Sequence, residues 1–309
     1  MKITLRQLRS LTALADEGHF GRAATTVNVS QPALSVQIRE LEAALGARLV
    51  ERGGREVVVT PTGREVLGRA RRILAEVREI EQVGRWDRGL AGRLRIGVIP
   101  TVAPYLLPSA LPALRARNLS LDLGVREAQT DRLVEEVREG ALDAAVVALP
   151  VADPGLVGEP LFEDRFLLAG SPARLAATAA PHPEDMEPGT LLLLDDGHCL
   201  ADQALAACAV DRTRVRMDLR AASLATLCRL VSEGFGLTLL PELAVRAECA
   251  AAPGLALARF AAPEPRRTIG LVRRSLSVDD GWFTELAAIL ATAGRAEVTA
   301  AAVRSPHPA

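Results

Sequence analysis

A turn of only three residues, Val27-Asn28-Val29, lies between two helical segments near the N-terminus and constrains the fold of the chain more than any other feature. Residues 20–26 form the first segment. Ser30 is a favourable N-cap for the second, and Pro32 suits its first turn. The second helix, which ends at Gly46, directs a stripe of apolar residues inward, namely Leu34, Ile38, Leu41 and Leu45. Two helices joined by so short a turn predict a helix-turn-helix.

The outward face of this second helix carries residue types that recognise DNA. Gln and Arg side chains match the edges of bases, and Ser bonds either bases or phosphates. A hairpin with a Gly53-Gly54 turn follows and offers arginines for contact with phosphate or the minor groove. The predicted DNA-binding residues are Ser30, Gln31, Pro32, Ser35, Arg39, Arg52 and Arg55. The alternative is a plain three-helix bundle with a polar face, which the hairpin disfavours.

Charge is distributed unevenly along the 309 residues. Residues 1–93 contain 16 Lys and Arg against 11 Asp and Glu, whereas the remainder contains 21 against 27. A basic N-terminal third on an acidic body favours a nucleic-acid-binding head, although an ordinary solvated surface fits these numbers equally well. The sequence contains neither a signal-peptide pattern nor an apolar run of about 18 residues, which predicts a cytoplasmic protein that does not enter a membrane.

A heptad-like spacing follows the hairpin. Its apolar positions are separated alternately by four and three residues and are Val66, Ala70, Ile73, Val77 and Ile80. This spacing predicts a helix that pairs two chains through a coiled-coil seam, and a helix that packs on its own domain is the alternative. Beyond a polar hinge at 85–93, short apolar runs that predict strands, among them 191–194 and 214–219, alternate with amphipathic runs. The alternation predicts an α/β region with largely parallel sheets.

Cys199 and Cys208 lie at the two ends of a segment that favours a helix, because residues 202–207 contain no Gly or Pro. On one helix the two thiols would be about 13 Å apart along the axis. A disulfide requires Cα atoms within about 7 Å, so the pair could bond only if the segment unwound. Two buried, inert cysteines are the alternative. His198 could favour the thiolate of Cys199, and Asp202 adds a polar partner, which favours a redox switch.

The N-terminal residues also carry the pattern of a known family. The matching stretches are Gly18-His19-Phe20, Ser30-Gln31-Pro32-Ala33-Leu34-Ser35, Leu41-Glu42, Leu45-Gly46 and Thr60-Pro61-Thr62-Gly63. In these residues the chain resembles the winged helix-turn-helix of LysR-type transcriptional regulators. The resemblance implies an α/β effector region of two periplasmic-binding-protein-like lobes, preceded by an all-α winged helix-turn-helix and a linker helix.

The same resemblance implies domain boundaries. The expected segments are a DNA-binding domain at 1–62, a linker and dimerisation helix at 63–89, an effector domain at 93–296 and a flexible tail at 297–309. Within the effector domain, the first lobe is expected at about 93–164 and 268–296, and the second at about 165–267.

The effector region is similar to that of the peroxide-sensing members of this family. The similar stretches include Ile99-Pro100-Thr101, Glu127-Ala128-Gln129-Thr130, Asp196-Gly197-His198-Cys199 and Pro265-Arg266-Arg267-Thr268. The resemblance implies that peroxide oxidises Cys199 to a sulfenic acid and that Cys208 then forms a disulfide with it, which alters DNA binding and the transcription of antioxidant genes. The residues implied to hold or polarise the peroxide are Thr101, Thr130, His198, Asp202 and Arg266.

Partners follow from the same resemblance. They are double-stranded operator DNA, further copies of the chain in a homodimer or homotetramer, hydrogen peroxide as the signal, RNA polymerase and a reducing thiol system. No cofactor or metal is expected, because no CxxC or HxxxH spacing accompanies the cysteines. Two other functions compete with the peroxide sensor: a LysR-type regulator that responds to a metabolite and has incidental cysteines, and a thiol peroxidase. The predicted winged helix argues against an enzyme.

Overall fold

The structure is a computed structural model that describes residues 2–53, 56–82, 93–117, 122–178, 182–195, 197, 199–208, 221–277 and 281–302. The described residues form two compact units. The first lies within Met1–Arg85 and includes Arg138–Ala141, and the second lies within Trp86–Val137 and Leu142–Ala309. No helix within the described ranges is long and apolar enough to cross a membrane.

The first unit contains the predicted helix-turn-helix, a hairpin and a long helix. Its elements are α1 (Leu5–Glu17), α2 (Phe20–Thr26), α3 (Gln31–Leu45), β1 (Val50–Gly53), β2 (Glu56–Val59) and α4 (Pro61–Gln82). β1 and β2 are antiparallel neighbours. The bounds of α2 and the start of α3 agree with the sequence-based prediction, because local signals determine both.

Caps define the ends of these helices. The Ser30 hydroxyl accepts a hydrogen bond from the Ala33 N–H at the start of α3. Gly18 and Gly46 end α1 and α3 with φ values of 63° and 67°, a left-handed conformation that favours glycine. The fully buried side chains between the helices are Leu11, Leu14, Leu34, Ile38 and Leu41. The prediction that Leu45 points inward is wrong, since this residue is exposed in the last turn of α3.

The apolar positions of α4 divide between two faces. Leu67, Ala70 and Leu74 are buried in the core of the first unit, whereas Ile73 and Ile80 are exposed. The predicted seam is therefore wrong at Ala70, which packs against the chain's own domain. The spacing of Leu67, Ala70 and Leu74 is also three and four residues, so a heptad pattern alone could not distinguish the two faces.

The second unit is an α/β fold. Its strands are β3 (Arg93–Val98), β4 (Asp122–Glu127), β5 (Ala144–Leu149), β6 (Leu156–Gly170), β7 (Thr238–Pro241), β8 (Ala256–Ala258) and β9 (Arg266–Arg274). Its helices are α5 (Ala103–Arg117), α6 (Thr130–Arg138), α7 (Pro172–Ala176), α8 (Cys199–Ala207), α9 (Leu224–Ser232), α10 (Glu242–Ala251) and α11 (Trp282–Ala302).

The sheet is only partly parallel. Its strand order is β4-β3-β5-β9-β6-β7, with β8 paired to β6. β3 is parallel to β4 and β5, as expected for strands joined through helices. β9 is antiparallel to both β5 and β6, and β7 and β8 are antiparallel to β6. The prediction of largely parallel sheets is thus correct only for the first three strands.

The long strands β6 and β9 connect two lobes. The first part of β6 pairs with β9, and from Phe166 onward β6 pairs with β7 and β8. Lobe I contains β3–β5 with α5, α6 and α11, and lobe II contains β7 and β8 with α7–α9. α10 contacts elements of both lobes. The chain therefore leaves lobe I near Arg165 and returns through Arg266, close to the expected crossing points.

The predicted strand at 191–194 forms only isolated bridges, Leu191 to Leu237 and Leu194 to Ala221. The predicted strand at 214–219 lies outside the described residues. The tail predicted from residue 297 is wrong up to Ala302, because α11 continues to that residue. Glu297 pairs with Arg246 at 3.1 Å, which attaches this last part of α11 to α10.

Candidate functional site

Two threonines follow neighbouring parallel strands. Thr101 lies between β3 and α5, and Thr130 is the first residue of α6, just beyond β4. Because β3 and β4 are adjacent and parallel, their carboxyl ends lie at the same edge of the sheet, where α/β folds commonly bind ligands. Thr101 is 2% exposed. The Thr130 hydroxyl oxygen is buried and has no hydrogen-bond partner among the described residues.

A buried ion pair holds Thr101. Arg267 Nη1 donates to Thr101 Oγ1 at 2.9 Å, and its Nη2 donates to the Thr101 carbonyl oxygen at 3.3 Å. The same guanidinium donates from Nε to Asp164 Oδ2 at 3.0 Å. Burial raises the pKa of the Asp164 carboxyl above its ordinary value, and Arg267 and the Leu243 N–H oppose this rise. A cation is therefore fixed beside one of the predicted peroxide-site residues.

Arg266, the arginine predicted for this site, is on the exposed face of β9. Its side chain is 65% exposed and pairs with Glu163 at 3.2 Å. Successive residues of a strand point to opposite faces, so Arg267 shares the buried face of β9 with Ile269 and Leu271. The structure therefore places Arg267, and not Arg266, beside Thr101, and the role predicted for Arg266 at the peroxide site stays a prediction. The alternation of Arg267, Ile269 and Leu271 in the sequence was a signal that could have identified the buried arginine.

The segment before α8 approaches the start of α6. Gly197 adopts φ +88°, and a Cβ added to it would lie 2.5 Å from Gln129 Oε1. Glycine is favoured here both by its left-handed conformation and by this close approach. Cys199 follows two residues later, within about 7 Å along the chain. The segment that leads into Cys199 thus lies against the residue next to Thr130. His198 lies outside the described residues, so its predicted role stays a prediction.

Cys199 is the first residue of α8 and is partly buried. Asp202 lies exposed in the first turn of the same helix. Gln203 is four residues beyond Cys199 and so shares its face of α8. The buried Oε1 of Gln203 has no hydrogen-bond partner among the described residues.

Cys208 lies at the opposite end of α8. Its N–H donates to the Ala204 carbonyl oxygen, and its side chain is 1% exposed. Burial, together with Glu184, raises the pKa of the Cys208 thiol to about 11, so the group is neutral near pH 7. The helix keeps the two cysteines about 13 Å apart along its axis, beyond the reach of a disulfide. Both are free thiols in this structure.

The other two cysteines lie on different helices. Cys228 is fully buried on α9, and Cys249 is partly buried on α10. Burial, with smaller contributions from Glu248 and Cys249, raises the pKa of the Cys228 thiol well above its ordinary value. A neutral buried thiol reacts slowly with oxidants, so Cys228 is poorly suited to sense peroxide.

The face of α3 opposite the core carries the predicted DNA-binding residues. Gln31, Pro32 and Arg39 are exposed, and Ser35 is half-buried. Arg39 Nε donates to the Ser35 carbonyl oxygen at 3.3 Å. The Ser30 hydroxyl already accepts the cap hydrogen bond, so its local role is structural. Arg55 and the side chain of Arg52 lie outside the part of the chain that the structure describes.

Comparisons with known proteins agree with this architecture. A protein of Mycobacterium avium named "Probable hydrogen peroxide-inducible genes activator" is 44% identical over 293 residues, which cover 93% of each chain. Full-length OxyR of Pseudomonas aeruginosa is 32% identical with a TM-score of 0.78, and the match covers 96% of this chain and 95% of that one. A hydrogen peroxide-bound mutant of Corynebacterium glutamicum OxyR is 36% identical with a TM-score of 0.66, covering 100% and 99%.

Two family models match separate parts of the chain. Residues 5–64 match the bacterial regulatory helix-turn-helix protein of the lysR family, and this range contains α1–α3 and the hairpin. Residues 87–293 match the LysR substrate binding domain, which contains both lobes of the α/β unit. Together with the relatives above, these matches show that the chain belongs to the LysR family of bacterial transcription regulators.

Proposed function

We propose that this chain is a transcription regulator that senses hydrogen peroxide through Cys199 and Cys208. The observation that carries the proposal is the placement of the two thiols at opposite ends of α8, with Cys199 at the helix N-terminus and close in sequence to Gly197, which packs against Gln129. The names of the most similar relatives support the same function. The chemistry serves regulation and not turnover, so the chain is not an enzyme.

The proposed reaction has two steps. The Cys199 thiolate attacks one oxygen of the peroxide, the O–O bond breaks, and a sulfenic acid forms while hydroxide leaves and takes up a proton. The Cys208 thiol then attacks the sulfenic sulfur, an S–S bond forms, and a second water leaves. Two thiols supply the two electrons that reduce one peroxide to two waters.

Polar groups around Cys199 would assist the first step. Hydroxyl donors at Thr101 and Thr130 can hold the peroxide oxygens, and a fixed cation can stabilise the departing hydroxide. Because Arg267 bonds Thr101 and Arg266 is exposed, we assign the cationic role to Arg267. His198 and Asp202 complete the proposed set on the side of α8.

The second step requires α8 to unwind. Nine positions along the helix place the thiols about 13 Å apart, whereas a disulfide holds its Cα atoms within about 7 Å. The oxidised segment must therefore adopt a second fold. Two stable arrangements of one segment are what a regulatory switch requires, since the change can alter contacts between chains and so the spacing of their recognition helices.

The DNA-binding role rests on α3. Its outward-facing residues Gln31, Ser35 and Arg39 would reach base edges or phosphates in the major groove, and Arg52 and Arg55 in the hairpin would contact the backbone. We further propose a homotetramer of paired dimers, in which the exposed Ile73 and Ile80 of α4 contribute to chain pairing. We also propose RNA polymerase and a reducing thiol system as partners of the chain, and the cytoplasm as its location.

A footprinting experiment tests the proposal. DNA selected from random sequence by the reduced protein would be footprinted with reduced protein, with peroxide-treated protein and after re-reduction by dithiothreitol. We expect the protected region to change after peroxide and to return after dithiothreitol. A footprint that peroxide leaves unchanged, but that small metabolites alter, would instead support the metabolite-responsive regulator.

A further inference from the structure

We propose that Asp164 is a positioning residue for the peroxide reaction: it aligns Arg267 against Thr101 and ties that arrangement to the start of α10. The inference deepens the proposed function and rests on it. Asp164 itself touches no reacting atom in this account. It acts through Arg267, so its loss should slow peroxide reduction without removing the reactive thiol.

Both carboxylate oxygens of Asp164 are engaged. Oδ2 accepts from Arg267 Nε at 3.0 Å and lies 2.9 Å from Nη2. Oδ1 accepts from the Leu243 N–H at 3.0 Å. Asp164 is completely buried and Arg267 nearly so. Because the carboxylate holds Nε and Nη2 together, the plane of the guanidinium is fixed and Nη1 is directed at Thr101.

The position of the Asp164–Arg267 pair in the fold explains which elements of the structure it connects. Asp164 and Arg267 are directly opposite each other on β6 and β9, where these strands pass from one lobe to the other. Thr101 belongs to lobe I, and Leu243 lies in the first turn of α10, which contacts elements of both lobes. The Asp164 carboxylate therefore connects, directly or through Arg267, the crossing strands, the predicted peroxide edge and α10.

The direction in which the Thr101 hydroxyl hydrogen points follows from this arrangement. A threonine hydroxyl has one hydrogen to donate and two lone pairs that accept. Arg267 has no acceptor, so it occupies a lone pair of Thr101 Oγ1 and the hydroxyl hydrogen must point away from the guanidinium. The hydrogen is then available to a peroxide oxygen. A buried ion pair is weak evidence for stability, since an apolar pair can replace it, but an apolar pair cannot orient this hydroxyl.

The substitution Asp164→Asn tests this arrangement with almost no change in volume. One carboxylate oxygen becomes an NH2 group, which must face either the Leu243 N–H or the Arg267 guanidinium. Both of these groups are donors, so one hydrogen-bonded contact is lost whichever way the amide turns. Glu163→Gln is the matched control, because Glu163 precedes Asp164 on β6 and pairs with the exposed Arg266.

Two rates measured at Cys199 separate positioning from a structural effect. The first is its oxidation by hydrogen peroxide, and the second is its alkylation by iodoacetamide across pH, both followed by mass analysis of the Cys199 peptide in the full chain. Peroxide reduction needs the oriented donors, whereas alkylation needs only an accessible thiolate. Losing an oriented donor outright costs about hundredfold to thousandfold. Asp164→Asn loosens Arg267 without removing it, so we expect oxidation to slow by about tenfold to hundredfold, while the alkylation profile stays within about twofold of the wild type. Glu163→Gln should match the wild type in both rates.

Equal oxidation rates in Asp164→Asn and Glu163→Gln would overturn the inference, and so would a parallel loss of oxidation and alkylation. If Asp164→Asn does not fold, Arg267→Lys decides the question, because lysine keeps the charge but cannot hold Asp164 and Thr101 with a planar fork. This variant should also oxidise Cys199 more slowly while the alkylation of Cys199 stays unchanged. An unchanged oxidation rate would overturn the inference. A wild-type chain whose Cys199 does not react with peroxide would instead contradict the proposed function itself.

Discussion

Replacing Cys199 with serine is expected to abolish the peroxide-dependent change of the DNA footprint while leaving DNA binding by the reduced protein intact. A serine hydroxyl is not ionised near neutral pH and is not a nucleophile toward peroxide, so the first step has no substitute. Oxidation at position 199 should fall below detection. The measurement is a footprint with and without peroxide, together with the mass of the peptide that contains residue 199.

Cys228→Ser and Cys249→Ser are the controls for this prediction. Cys228 is fully buried with a raised thiol pKa, and neither residue lies on α8. Both variants should retain the response. A normal peroxide-dependent footprint in Cys199→Ser would contradict the redox account and would leave the metabolite-responsive regulator as the better explanation.

Replacing Cys208 with serine is expected to stop the reaction at the sulfenic acid. Peroxide should still oxidise Cys199 at close to the wild-type rate, because Cys208 lies at the far end of α8 and takes no part in the first step. The burial that raises the pKa of the Cys208 thiol to about 11 also makes this residue a poor first target for peroxide. No disulfide can follow, and α8 keeps its helical form.

Trapping with dimedone measures this outcome, since the reagent adds to sulfenic acids and its mass is found on the Cys199 peptide. The wild type should show a transient adduct and Cys208→Ser a lasting one. The footprint change should be absent or brief in Cys208→Ser. A disulfide that still forms in this variant between Cys199 and Cys228 or Cys249 would contradict the assignment of Cys208 as the resolving thiol.

Sequence alone was sufficient where the structure depends on local signals. Ser30, Pro32 and Gly46 define α3, and each acts within a few residues of its own position. The helix between Cys199 and Cys208 was likewise predictable, because α8 needs only the absence of breakers and a run of good helix formers. The resemblance to a known family added the threonines at the ends of β3 and β4, whose proximity depends on the order of strands in the sheet.

Sequence was not sufficient where distant residues meet. Asp164 and Arg267 are 103 positions apart, and no local pattern relates one to the other. Their pairing depends on the register of β6 and β9, which fixes which of two adjacent arginines is buried. Arg266, the residue predicted from the sequence, is the exposed one of the two. The predicted coiled-coil seam of α4 was wrong at Ala70 for a related reason. Two faces of the helix have the same spacing of apolar residues, and only tertiary packing decides which face is buried.

Disulfide mapping of the wild-type chain tests the central claim most directly. The protein would receive a brief pulse of hydrogen peroxide near one equivalent, its remaining thiols would be blocked, and its peptides would be mapped by mass. Hydrogen exchange of the residue 199–208 amides would be followed in the same samples. We predict a Cys199–Cys208 disulfide whose yield parallels the footprint change, with faster amide exchange where α8 has unwound. A footprint that changes while Cys199 and Cys208 both remain free thiols would contradict the account.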